Sequence, residues 1–97
     1  MQHKLENGVL TIFLEGEINS SNCEKLEECV ETVISTVAVQ QLVFECEKLT
    51  YMSSAGFRVI LRIKKKIDNT KLINVCDDVY QVLDMVGFRK VMTVEKA

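Results

Sequence analysis

The sequence contains no proline and a single histidine, and both scarcities restrict what the chain can be. Without proline or a low-complexity stretch nothing marks a linker, so we expect one domain over residues 1–97. The histidine, His3, lies at the N-terminus and leaves no Ser–His pair for catalysis within the folded core. The four cysteines lack the CxxC spacing of zinc sites, so we predict no bound metal. We therefore expect a protein that is not an enzyme.

Glycine-rich loops, long apolar runs and a strong net charge are also missing. The four glycines form no Walker or dinucleotide-binding pattern, so we predict no cofactor. No stretch approaches the roughly 20 apolar residues of a membrane span, and no secretion signal is recognisable, so we expect a cytoplasmic protein that does not bind membranes. A net charge of −2 with dispersed basic residues argues against nucleic-acid binding. Three cysteines stand where an apolar residue would serve and are predicted to fill the core: Cys23, Cys46 and Cys76.

The remaining pattern alternates strands with amphipathic helices. Asn7-Gly8 predicts a hairpin turn, and Val9 to Glu15 predicts a strand buried on both faces. Ser21 and Glu24 have the spacing of a capping box at the start of the first helix. The later predicted elements are a strand at 41–47 continued by a loop at 49–52, a helix at 55–67, a strand at 71–76, a short helix from 77 to a cap at Gly87, and a marginal strand at 91–94.

This order predicts an α/β fold. Strand–helix alternation favours right-handed crossovers and a mixed, mainly parallel sheet of four to five strands. About three helices are available, and we expect them chiefly on one face of the sheet.

The junction between the third strand and the second helix is the most informative segment. Ser53 and Ser54 lie where a helix presents unpaired N–H groups and the positive end of its dipole. A serine there can cap the helix, and it can also carry a phosphate that changes the local charge. Gly56 follows, where a small residue allows the helix and the sheet to approach closely.

Three separated motifs resemble a known family. They are Gly16 to Asn19 (GEIN), Tyr51 to Leu61 (YMSSAGFRVIL) and Val82 to Phe88 (VLDMVGF). Together they are similar to the STAS domain of bacterial anti-sigma factor antagonists, over nearly the whole chain. The resemblance implies a STAS-like single domain that, when unphosphorylated, binds an anti-sigma factor serine kinase and so releases a sigma factor. A partner serine phosphatase reverses the modification.

The resemblance also implies site residues. Alignment on Gly56 places the family's phosphorylated serine at Ser54, with Ser53 as the alternative acceptor. The family's usual acidic residues are absent at two positions, where this chain has Asn19 and Ser53. The implied partner surface consists of Asn19, Ser20, Ser21, Tyr51, Met52, Ser53, Ala55, Gly56, Arg58 and Arg62. The alternative function is a STAS interaction or ligand-sensing module that works without phosphorylation.

Overall fold

A five-stranded mixed sheet forms the centre of the computed structural model, which describes residues 2–97. The spatial order of the strands is the same as their order along the chain. The strands are β1 (His3–Glu6), β2 (Val9–Ile18), β3 (Gln41–Met52), β4 (Thr70–Val75) and β5 (Thr93–Lys96). The helices are α1 (Cys23–Thr36), α2 (Ser54–Lys66) and α3 (Asp77–Met85), followed by a 3₁₀ turn at Phe88–Lys90 that the sequence analysis did not predict.

The predicted hairpin joins the first two strands. Asn7 and Gly8 both have positive φ angles, 51° and 80°, as the two central residues of a type I′ turn require. β1 therefore pairs antiparallel with β2, and all later neighbours in the sheet pair in parallel. Each parallel crossover contains one helix and steps in the same direction across the sheet. Right-handed crossovers of this kind place all three helices on one face, which confirms the predicted fold class.

The helices cover only one face of the sheet, and the burial of β2 reflects this. Leu10, Ile12 and Leu14 point towards the helices and are at most 1% exposed. Their neighbours on the other face, including Thr11 and Phe13, are only half-buried. The prediction that this strand is buried on both faces is therefore wrong, because the second face has no helix to cover it.

The third strand is longer than predicted. The segment from Leu49 to Met52, predicted as a loop, continues β3 and pairs in parallel with the end of β2. Register shifts after Phe13 and after Gly16 allow both strands to continue beyond their regular part. Because β3 ends at Met52, the serine pair lies directly at the carboxyl edge of the sheet.

Candidate functional site

Ser53 is the N-cap of α2 and is fixed by two hydrogen bonds. Its backbone N–H donates to the carbonyl oxygen of Ile18 at 2.8 Å, and its Oγ accepts from the N–H of Gly56 at 3.4 Å. The backbone at Ser53 is extended, with φ −80° and ψ 169°, as is usual at this position. Ser53 is half-buried, and its Oγ accepts the cap hydrogen bond of the helix.

Ser54 is the first residue of α2, and its side chain is exposed. The N–H groups of a first helical turn have no partner inside the helix, and they carry the positive end of its dipole. A negative group attached to Ser54 would therefore lie in a favourable field. The two adjacent serines differ in accessibility: the hydroxyl of Ser54 can be reached from solvent, whereas that of Ser53 caps the helix.

Gly56 allows α2 to rest directly on the ends of β2 and β3. A Cβ atom at Gly56 would lie 2.8 Å from Cγ of Met52 and 2.9 Å from Cγ2 of Ile18, which is too close for real contacts. Met52 is 3% exposed, and Gly56 is also buried. The prediction that Met52 and Gly56 contact a partner is corrected, because both residues are buried in the core. Their packing holds the start of α2, and with it the serine pair, against the sheet.

The segment between β2 and α1 forms its own hydrogen-bonded turn. Asn19 Oδ1 accepts from both the N–H and the Oγ of Ser21, at 3.0 and 2.6 Å. Asn22, the N-cap residue of α1, accepts from the N–H of Asn19 at 2.9 Å and donates to the carbonyl of Glu17 at 2.8 Å. The predicted capping box is therefore wrong, because the hydroxyl of Ser21 is bound to Asn19. Asn22 stands at the N-cap position, but its side chain makes no cap hydrogen bond to the first turn of α1 and stabilises the preceding turn instead.

The sheet brings this turn next to the serine pair. Ile18 pairs with Met52 in the parallel register of β2 and β3, so both loops leave the same edge of the sheet. The predicted phosphoacceptor Ser54 is exposed at this edge, and most of the predicted contact residues near it are exposed or half-buried: Asn19, Ser20, Ser21, Tyr51, Ser53 and Ala55. Tyr51 is the largest of them, and 49% of its surface is exposed.

Arg58 and Arg62, both predicted to contact a partner, have different surroundings. Arg62 donates two hydrogen bonds to the Glu27 carboxylate in α1, at 3.0 and 2.9 Å. The hydrogen bond from Arg62 lowers the pKa of Glu27 below its usual value. Arg58 is exposed, and among residues 2–97 no carboxylate lies within ion-pair distance of it. The second helix therefore has one paired arginine and one unpaired arginine.

A groove beside Ser54 was not predicted from the sequence. It lies between α2 and the segment after α3 and has a volume of about 330 Å³. Two valines in its wall lie outside the elements predicted for them, since α3 ends before Val86 and β5 begins after Val91. Both are exposed, Val86 at 60% and Val91 at 52%. The groove is lined by Ser54, Phe57, Arg58, Leu61, Val86, Gly87, Phe88 and Val91. The sequence held no signal for this groove, since an apolar stripe such as that of α3 does not show whether it faces the core or solvent.

Other kinds of site find no support in the part of the chain from residue 2 onwards. No three His, Cys, Asp or Glu side chains come together there as metal ligands. No helix in that part combines the length and the apolar character needed to cross a membrane.

Comparison with known proteins adds evidence on descent. The family model described as STAS domain matches residues 1–97. The anti-sigma F factor antagonist of Paenibacillus polymyxa is 30% identical over 99 residues, covering 97% of this chain and 82% of that protein. BtrV of Bordetella bronchiseptica is 29% identical over 92 residues, covering 91% of this chain and 78% of that protein.

Solved structures share the fold. The anti-sigma factor antagonist SpoIIAA in its unphosphorylated form matches with a TM-score of 0.82 at 23% identity, covering 96% of this chain and 85% of that one. The Bacillus cell fate determinant SpoIIAA in its phosphorylated form matches with a TM-score of 0.72 at 22% identity, covering 96% and 88%. At this level of identity the similarity establishes the common architecture.

Proposed function

The chain belongs to the STAS domain family, and from this we propose that it is an anti-sigma factor antagonist controlled by phosphorylation of Ser54. In its unphosphorylated form it binds an anti-sigma factor that is also a serine kinase, and the bound sigma factor is released. A serine phosphatase restores the active form. The protein itself acts by binding, and the catalysis belongs to its partners.

One observation carries this proposal: Ser54 is exposed at the first position of α2, while its neighbour Ser53 caps the helix. A kinase needs a hydroxyl that it can approach in line with the γ-phosphate of ATP. Ser54 meets this condition without unfolding of the helix. The half-buried position of Ser53 favours Ser54 as the acceptor.

The modification is a simple phosphoryl transfer. A bond forms between Ser54 Oγ and the γ-phosphorus of ATP, the bond from that phosphorus to the β-phosphate oxygen breaks, and ADP leaves. The hydroxyl proton passes to a base on the kinase or to solvent. The product carries a charge of about −1.5 to −2 at pH 7 and three acceptor oxygens.

The added charge alters binding rather than the fold. The helix N-terminus accommodates an anion, so the domain below Ser54 keeps its packing. A partner that packs closely against this edge must desolvate the phosphate or place its own groups against it. A penalty of about 3–4 kcal/mol would weaken the complex a few hundredfold, since each 1.4 kcal/mol is tenfold. The switch is a local electrostatic and steric event.

The decisive experiment is phosphosite mapping with the purified anti-sigma factor kinase and ATP. We expect mass spectrometry to find phosphate on Ser54, none in Ser54→Ala, and continued modification in Ser53→Ala. Binding measured by calorimetry should be retained in Ser54→Ala and much weaker in Ser54→Asp. Phosphate found only elsewhere, or equal affinities for these two variants, would overturn the proposal in favour of a module that works without phosphorylation.

A further inference from the structure

Building on the proposed function, we propose that the groove beside Ser54 is the anchor point of the anti-sigma factor. In this proposal the groove receives an apolar side chain of that partner, and Arg58 pairs with a carboxylate next to it. Phosphate on Ser54 then closes the site by pairing with Arg58 on the same helix. The phosphorylated protein thus loses both the space and the positive charge that the partner uses.

The first support is the arrangement of one face of α2. Ser54, Arg58 and Leu61 follow each other at intervals of four and three residues, so they lie along one side of the helix. All three line the groove. Arg62, one turn further along the helix, is not part of the groove lining, and its guanidinium is held by Glu27 of α1.

The second support is the pairing of the arginines. Arg62 is paired with Glu27 and Arg89 with Asp84, each with an N···O distance of 2.9 Å. Arg58 has no ion-pair partner among residues 2–97. It is the charged residue of the groove lining, which contains no carboxylate. An unpaired guanidinium favours a partner that brings its own carboxylate, which it can bind through two parallel hydrogen bonds.

The third support is the apolar character of the rest of the groove. The rings of Phe57 and Phe88 lie 5.7 Å apart, and both residues are buried beneath it. Gly87, with a φ of 74°, turns the chain after α3, and the exposed Val86 and Val91 flank this turn. Exposed valines around a buried aromatic pair form a surface that an apolar side chain of a protein partner can cover.

The proposed closing contact follows from helix geometry. Residues four apart on a helix are neighbours, with Cβ atoms about 5–6 Å apart. A phosphate on Ser54 brings three acceptor oxygens within reach of the guanidinium of Arg58, and pairs of this kind are charge-assisted and often bidentate. The same phosphate lies at the edge of the groove, where an apolar side chain would have to desolvate it.

The first test concerns the closing contact and needs no partner. Phosphoserine is placed at position 54 during translation, and the pKa of the phosphate is followed by phosphorus NMR. We expect a value about 0.3 unit or more lower with Arg58 present than in Arg58→Gln, because the guanidinium favours the dianion. Arg62→Gln is the matched control. It removes a guanidinium that is already engaged by Glu27, so the pKa of the phosphate should stay unchanged. Equal values with and without Arg58 would overturn the closing contact, whether or not Ser54 is the natural phosphosite.

The second test concerns the groove and uses the purified anti-sigma factor kinase. We expect Val86→Ser, Val91→Ser and Arg58→Gln each to weaken binding of the unphosphorylated protein at least tenfold. Val37→Ser is the matched control, since Val37 is 40% exposed at the end of α1, outside the groove, and should bind normally. Circular dichroism verifies that each variant is folded. Unchanged affinity in folded Val86→Ser and Val91→Ser would overturn the docking site. Sedimentation of the unsubstituted protein and of both valine variants gives a second readout. A dimer that forms in the unsubstituted protein and is lost in Val86→Ser and Val91→Ser would also overturn the docking site, because a second copy of the chain would then cover the groove.

Discussion

Arg62 of α2 and Glu27 of α1 are joined by two hydrogen bonds, 3.0 Å from Nε and 2.9 Å from Nη2, across the contact of the two helices. The hydrogen bond from Arg62 is the largest cause that lowers the pKa of Glu27, and the positive charges of Arg62 and Lys66 act in the same direction against partial burial. Half of the Arg62 side chain is exposed, so solvent screens the pair. The pair mainly orients α2 against α1.

Replacing Arg62 by Gln should lower stability slightly at neutral pH and not at all in acid. A carboxylate whose pKa is lowered in the folded state stabilises it above the unfolded pKa, and this contribution is lost as the pH falls through the folded pKa. Urea denaturation should show a small decrease in midpoint for Arg62→Gln at pH 7, and none near pH 3. Lys65→Gln, on the exposed side of the same helix, is the control. A difference that stays the same at both pH values would show that packing, not the ion pair, is responsible.

Replacing Gly56 by Ala should destabilise the protein, although alanine is the better helix former. The new Cβ would lie 2.8 Å from Met52 and 2.9 Å from Ile18, so α2 or these side chains must move. Overpacking of this kind costs about 1–3 kcal/mol, whereas the gain in helix propensity is about 1 kcal/mol. We expect a net loss of about 1 kcal/mol in the free energy of unfolding, measured by urea denaturation.

The control for this change is Ala55→Gly, which loses helix propensity at the adjacent position without relieving any close contact. It should cost up to about 1 kcal/mol for that reason alone. Increased stability of Gly56→Ala would mean that the helix can shift away from the sheet at no cost. In that case the close approach of α2 would not be what holds the serine pair in place.

Local signals account for the parts that could be predicted from the sequence. The turn at Asn7-Gly8 depends on two residues that tolerate positive φ, and the start of α2 depends on a capping serine. The alternation of strands and helices determines the topology through short right-handed crossovers. These features need no knowledge of distant neighbours.

The parts that were missed depend on such neighbours. Leu49 to Met52 extends as a strand only because the end of β2 lies beside it. Periodicity places Arg58 and Arg62 on the outside of α2, but only the packed fold brings Glu27 to one of them. The exposure of Val86 could not be predicted either, because an apolar stripe looks the same whether it faces the core or an interface.

The Cys46 thiol should be unreactive in the native protein. Burial, followed by the charge of Glu45, raises its pKa to about 12, so roughly one molecule in ten thousand carries the reactive thiolate at pH 8. Its sulfur is also engaged with the carbonyl oxygen of Phe44. Alkylation with N-ethylmaleimide, followed by peptide mass spectrometry, should modify the half-buried Cys29 well before Cys46. Both cysteines should react quickly in urea. Equal alkylation rates for Cys29 and Cys46 in the native protein would contradict the burial of Cys46 in β3.

The final prediction concerns the cap at Ser53, a position where the family resemblance implies an acidic residue. The cap hydrogen bond is long, 3.4 Å, so Ser53→Ala should cost only about 0.5–1 kcal/mol. Ser53→Asp should be more stable than Ser53→Ala at pH 7, because a carboxylate both caps the helix and interacts with its dipole. The helix lowers the pKa of such a carboxylate, so the advantage should disappear as the pH falls below about 4.

Urea denaturation of both variants at pH 7 and pH 3 measures this difference, and a kinase assay on the same proteins adds a functional readout. Because Ser54 points to solvent independently of the cap, both variants should still be phosphorylated there. We expect the rate to be lower in Ser53→Asp, since a carboxylate beside Ser54 repels the incoming ATP phosphates. An Asp variant no more stable than the Ala variant at pH 7 would mean that position 53 does not cap α2 in solution. The contrast between the half-buried, capping Ser53 and the exposed Ser54 would then no longer explain which serine accepts the phosphate.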